Sequence, residues 1–161
     1  MKRTLLIGIG NASRGDDGLG WRVLDEIQPA LPPEVETGHR FQLQVEDAAL
    51  IAGFNEVIFA DATETQLPNG ARLSACEPAE TYFFSSHLQS PEAVLYLCET
   101  LYGQRPKAYV LAITGRQWAL GSGLSEEGEK NLKSALRLLR AHFGIKNKAV
   151  SRLPKPSSVN P

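Results

Sequence analysis

Cysteine is scarce in this chain: Cys76 and Cys98 are the only two in 161 residues. Two thiols cannot build a disulfide framework, so they are read as small buried or half-buried thiols in a reducing cytosol. Long apolar runs are missing as well. The longest, such as Thr4–Ile9 and Glu56–Ala60, fall far short of the roughly 20 residues that a helical membrane span requires. Met1-Lys2-Arg3 followed by Leu5-Leu6-Ile7 briefly imitates a signal peptide, but the run stops at Gly8 and Gly10 and acids follow at once. It is read as a first strand instead. A surplus of either charge is lacking too, with 17 Lys and Arg against 18 Asp and Glu. That balance argues against a dedicated binder of nucleic acid or anionic membrane, whose affinity comes from clustered cations. What remains is the composition of one soluble domain, 42% hydrophobic and 22% charged, long enough to bury a core.

The hydrophobic pattern then sets out an order of elements. Thr4–Ile9 is a continuous apolar strand, the pattern of a strand covered on both faces. Gly18–Ile27 reads as a helix with Leu19, Val23, Leu24 and Ile27 on one face, ended by Pro29. Phe41–Val45 alternates apolar and polar residues, which predicts a second strand. Glu46–Ala52 is a short helix closed by Gly53, and Glu56–Ala60 a third, buried strand. Pro68-Asn69-Gly70 signals a turn, with a short antiparallel strand, Ala71–Ala75, behind it. Ser90-Pro91-Glu92 opens a helix that runs to Gly103. Ala108–Ile113 is the next buried strand. Ser125 caps a long helix whose Leu132, Ala135, Leu136, Leu139 and Phe143 form an apolar stripe ending at Gly144. Residues 1–145 therefore form one α/β domain. Residues 146–161, rich in Lys, Ser and Pro, are expected to be a flexible tail. The alternation predicts a three-layer αβα sandwich around a mostly parallel twisted sheet of about five strands. In such folds, function gathers at the C-terminal ends of the strands.

The first such end carries Gly8-Ile9-Gly10-Asn11-Ala12-Ser13-Arg14-Gly15-Asp16-Asp17-Gly18-Leu19-Gly20. A strand running into a glycine-rich loop and a helix invites a dinucleotide reading, but Ser13 stands where the fingerprint needs glycine, and no Gly-Lys-Ser/Thr follows. Asp16 and Asp17 also place carboxylates where a pyrophosphate would sit, repelling an anion and attracting a cation. One of the two suffices to cap the helix, which leaves the other as an oxygen ligand. Asp17 is taken as that ligand, with Asp16 second.

Two further groups belong to the same edge. Asp61 follows the third strand directly, and His87 lies in the loop ahead of the helix from Pro91. His39, in a glycine-containing loop, and His142, late in the last helix where a cation suits the dipole, are read as surface residues. Two carboxylates and an imidazole, Asp17, Asp61 and His87, make a borderline metal site with open positions, suited to nickel, zinc or iron better than to magnesium. The loop Thr114–Gly123, after the last parallel strand, brings Arg116 and Trp118 to that edge, either as a protein-contact loop or with Trp118 folded under as a plug. No Gly-x-Ser-x-Gly elbow, no His-Glu-x-x-His and no Asp-Thr-Gly is present.

In their order and over nearly the whole chain, Gly8-Ile9-Gly10-Asn11, Asp16-Asp17-Gly18-Leu19-Gly20, Phe59-Ala60-Asp61-Ala62 and Ser86-His87 resemble the hydrogenase maturation proteases. The resemblance implies an endopeptidase, grouped with aspartic-type peptidases, that removes the C-terminal extension of a [NiFe] hydrogenase large-subunit precursor after nickel insertion. It places the family's metal-contacting positions on Asp17, Asp61 and His87, with nickel contacted in the substrate rather than held permanently. It further implies a cytoplasmic monomer whose partner is that precursor, with neither nucleic acid nor membrane involved. The expected chemistry is metal-assisted hydrolysis through Asp17, Asp61 and His87. The chain departs from the family where many members carry Asp-Gly-Gly-Thr after the second strand. Here that region reads His39-Arg40-Phe41-Gln42-Leu43-Gln44, which points to a distinct subgroup. The competing class is a non-catalytic α/β module that binds a metal or a nucleotide, including nickel sensing or delivery.

Overall fold

Thr-Leu-Leu-Ile-Gly-Ile has no polar face, and every one of its residues is buried in strand β1, Thr4–Ile9. The computed structural model describes residues 2–80 and 89–146. After β1 come a 3-10 turn at Gly15–Gly18, helix α1 (Leu19–Ile27), strand β2 (Val35–Arg40) and helix α2 (Asp47–Ile51). Strands β3 (Glu56–Thr63) and β4 (Ala71–Ala75), helix α3 (Pro91–Tyr102), strand β5 (Lys107–Thr114) and helix α4 (Glu126–Phe143) complete the order. The five strands form one sheet in the order β2-β1-β3-β5-β4. β2, β1, β3 and β5 run parallel, and β4 lies antiparallel to β5.

Alternate residues of the central strands face opposite layers. Leu5, Ile7, Val57 and Phe59 pack with Ile51 of α2 and Val94, Leu95 and Cys98 of α3. Leu6, Ile58, Ala60, Leu111 and Ile113 pack with Leu19, Val23 and Leu24 of α1 and Leu132, Ala135 and Leu139 of α4. The expected αβα sandwich is therefore the observed architecture. The caps also follow the sequence. Ser90 Oγ accepts from Ala93 N at 3.1 Å and Ser125 Oγ from Gly128 N at 2.9 Å. Gly103 and Gly144 close α3 and α4 in the left-handed conformation that suits glycine.

One strand is displaced from its expected place. The second strand is Val35–Arg40, whereas among the described residues Phe41–Val45 forms no ladder, and its strand-like pairing is an isolated bridge from Leu43 to Gln89. Val-Glu-Thr-Gly-His-Arg lies on the edge of the sheet, half-buried, so it has few apolar residues to mark it. The apolar alternation of Phe41–Val45 reflects exposed Phe41 and Val45 flanking the one buried residue, Leu43.

The N-terminal edge of the sheet is fastened by a buried carboxylate. Glu56, 2% exposed, receives Lys2 Nζ at 2.9 Å and Thr4 Oγ1 at 3.3 Å, and His142 Nε2 of α4 lies at 3.0 Å. Burial alone would push the Glu56 carboxyl up, but the His142 and Lys2 contacts outweigh it and hold it low. His142 is thus half-buried between Glu56 and the Tyr109 ring rather than a surface residue. His39 lies in β2 rather than a loop, with Nε2 2.8 Å from Asp25. Cys76 and Cys98 are free and buried, as expected. Burial, followed by the charge of Glu92, pushes the Cys76 thiol up to about 12. Among the described residues no helix is long and apolar enough to cross a membrane. Residues 147–161, most of the expected tail, lie outside the described residues.

Candidate functional site

The glycines of the first loop fit helix to sheet. A Cβ on Gly8 would meet the Gly20 carbonyl oxygen at 2.5 Å, and one on Gly20 would meet the Ala60 carbonyl oxygen at 2.6 Å. α1 therefore lies directly on β1 and β3, with no side chain between. Gly10, at φ +145°, has the main-chain oxygen of Asp17 where its own Cβ would point. The glycine spacing that imitates a phosphate loop is accounted for by close packing, and the helix start is filled by protein atoms.

That packing parts the two adjacent acids. Asp16 is fully buried. Its Oδ2 accepts from Arg116 N at 2.6 Å, Gln117 N at 3.0 Å and Ser125 Oγ at 2.6 Å, while Oδ1 accepts from Ser125 N at 2.8 Å. Burial would push this carboxyl up, but the four donors outweigh it and hold it below the usual range. Neither acid caps α1, whose N-cap residue is Gly18 with no side-chain bond. The expected capping role is replaced by a longer-range one. Asp16 joins the first loop to the loop after β5 and to the N-terminus of α4, and its oxygens are already used. The adjacent Asp17 is half-buried and accepts one bond, from Asn11 N at 2.9 Å.

Asp61 closes the pair. It sits in β3 directly opposite Ile9 of β1, at the C-terminal edge where Asp17 lies. Desolvation, then the Asp17 charge, pushes its carboxyl up to about 7, against the pull of a hydrogen bond from Ala62 N–H. The Asp17 and Asp61 charges repel each other, and a carboxyl pushed up to about 7 can take or give a proton. His87, the third expected member, lies outside the described residues. Among the described residues no cluster of three metal-ligating side chains occurs, and Asp17 and Asp61 are the members of the expected set that the fold brings together.

The surroundings add groups that the sequence did not mark. Arg40 ends β2 opposite Ile9. Its Nε donates to buried Asp47 at 3.0 Å, its Nη1 to the His39 carbonyl at 2.9 Å, and its own carbonyl accepts from Gly10 N and Trp21 Nε1, both at 2.9 Å. The Phe41 ring packs on Trp21 at 5.2 Å and is otherwise exposed. Trp118 is half-buried, its ring over Gly115 beside Asp16. That favours the plug reading, with Leu120 left exposed at the tip. The Asp16 hub had one sequence signal, the Ser125 cap, but nothing in the spacing linked positions 16 and 125.

No protein-family model matches the sequence, and no curated protein matches it significantly. The fold does match solved structures. The chain is similar to the hydrogenase maturating endopeptidase HybD from E. coli, with a TM-score of 0.72 and 22% identity over 88% of this chain and 92% of that one. It is similar to a hydrogenase 2 maturation peptidase from a Thaumarchaeota archaeon, with a TM-score of 0.65 and 23% identity over 90% of this chain and all of the other. A [NiFe] hydrogenase maturation protease, HycI from Thermococcus kodakarensis KOD1, matches with a TM-score of 0.66 and 22% identity over 89% of this chain and 92% of that one. At these identities the likeness is one of fold: this chain has the fold of those peptidases.

Proposed function

We propose that this chain is an endopeptidase that removes the C-terminal extension of a [NiFe] hydrogenase large-subunit precursor once nickel has been inserted. The observation that carries the reading is the Asp17–Asp61 pair at the C-terminal ends of β1 and β3, in the fold shared with maturation peptidases. The substrate's own nickel is the cation that suits the pair, and its approach relieves the repulsion between the two carboxylates. His87, by the sequence resemblance, is the third group to meet it. Held in this way, the precursor presents its scissile peptide to the cleft in a fixed orientation. Asp61 takes a proton from the attacking water and returns it to the leaving amine. Asp16 meets neither substrate nor water. It holds the first loop against the loop after β5, so that Asp17 stands where Asp61 needs it.

The test is co-expression with the large subunit, followed by the intact mass of that subunit. Loss of a C-terminal peptide only in the presence of this chain supports the reading. Asp17→Ala, Asp61→Ala and His87→Ala should each lower cleavage of nickel-loaded precursor by at least about a hundredfold. Full cleavage by all three variants would sink the assignment. Tight nickel binding by the isolated chain, with no mass loss in the precursor, would favour a delivery role.

A further inference from the structure

A groove of about 1080 Å³ runs along α4, separate from the Asp17–Asp61 pair. One wall is the Gln66–Gly70 connection between β3 and β4, and the other is the α4 face that carries Lys130, Lys133 and Arg137. The first wall is firmly built. Thr114 Oγ1 accepts from Leu67 N at 3.1 Å and donates to the Thr65 carbonyl at 2.8 Å. Buried Asn131 of α4 donates to the Thr114 carbonyl at 2.8 Å.

The charges in the groove are unevenly spent. Glu127 is paired with Arg116 at 2.7 Å and Glu129 with Arg22 at 3.7 Å. Among the described residues Lys130 and Lys133 have no carboxylate partner, and Arg137 reaches only Ser134 Oγ, at 3.0 Å. The three cations recur at helical spacing, so they form one stripe about 10 Å long. At the upper end of the groove stand Arg116 and Ser125, whose N–H groups both bond Asp16, the residue next to Asp17. The upper end of the groove is thus tied through Asp16 to the first loop, which also carries Asp17.

We infer that this groove docks an acidic, extended segment of the protein whose peptide bond is cut. The inference rests on the endopeptidase reading. From Ser125 to Arg137 the helix rises about 18 Å, which matches about five residues of extended chain. Carboxylates of the segment meet Lys130, Lys133 and Arg137, and its main-chain amides meet the Gln66 and Asn69 side chains. A nucleic acid suits the groove less well, because Glu126, Glu127 and Glu129 line it too and a continuous phosphate backbone has no gap in which to place them.

The experiment compares wild type with K130E/K133E/R137E, three exposed positions, and with the neutral K130Q/K133Q/R137Q. The first arm is fluorescence anisotropy with a labelled heptapeptide of alternating Glu and Leu, its Lys/Leu counterpart and an oligothymidylate. The second is the KM and kcat of precursor cleavage. The expected result is binding of the acidic peptide alone, weakened about tenfold by charge reversal and by about 0.3 M salt. KM should rise by a similar factor while kcat holds, with the neutral variant between. Equal peptide binding by wild type and the reversed variant, tighter binding of the oligonucleotide, or an unchanged KM would each overturn the inference. If wild type cuts no precursor but the peptide arm behaves as expected, the endopeptidase reading fails and the docking groove stands.

Discussion

Asp16 and Asp17 are adjacent and chemically identical, and they are separated by partners roughly a hundred positions away. Asp16→Asn keeps the size of the side chain but sets an amide among four donors. It should cost on the order of 3 kcal/mol, a fall in Tm of about 6–12 °C for a chain of this size, read by calorimetry. The folded Asp16 carboxyl lies below its unfolded value, so its stabilisation is complete above the unfolded value of 3.8 and drains away as pH falls through the folded one. The variant should therefore lose less stability than wild type on acidification. Asp61 behaves in the opposite sense. Its folded carboxyl, at about 7, holds a proton that the unfolded one releases near 3.8, so wild type should lose stability as pH rises from about 4 to about 7 and level off above. Asp61→Asn removes that loss and should be more stable than wild type at pH 8, by on the order of 1–3 kcal/mol, in urea titrations, while being inactive. A variant no more stable at pH 8 than at pH 4, relative to wild type, would contradict this account. Both acids were visible in the sequence as candidates. The sequence points to Asp17 rather than Asp16 as the ligand, but the hub role of Asp16 is not legible, because local spacing carries no information about Arg116, Gln117 and Ser125.

Among the elements, legibility followed burial. β1, β3 and β5 are apolar throughout or nearly so because helices cover both faces, and the sequence marks them to within a few residues. β2 lies on the edge with polar, half-buried residues, so the pattern shifted the expected strand onto the neighbouring Phe41–Val45. The same exposure moves the departure from the family's Asp-Gly-Gly-Thr onto the end of β2 and the bend that follows it. The contact of α1 with β1 and β3 was legible only as glycines, not as a reason for them. Gly20→Ala would press a methyl group into the Ile9 and Ala60 carbonyls, with backbone on both sides and no flexible side chain to yield. A loss of about 2–3 kcal/mol is expected. It should be accompanied by faster amide exchange in β1 and β3, and unchanged exchange there would count against the close-packing account.

For the molecule as a whole, β3 spans two ends with different tasks. Glu56 at its start is clasped by Lys2 and His142, and Asp61 near its finish faces Asp17. Stability is anchored at one end and titrating charge is kept at the other. The two thiols give a reading of the global state, since both are buried, and burial followed by neighbouring glutamates holds both in the protonated form. Labelling with a disulfide reagent at pH 8 should be slow and should speed up with added urea in step with unfolding. Rapid labelling in native buffer would mean that local opening exposes Cys76 or Cys98. The reversed direction of β4 reaches furthest. A parallel fifth strand would have required a crossover, with a helix laid over the outer layer before the chain re-entered the sheet. Running backwards, β4 needs only the short connection of residues 64–70 across the end of β5. The chain therefore leaves Asp61, turns at the same rim and descends again along the far side of β5, and the flank of α4 stays open as a trough walled by that turn.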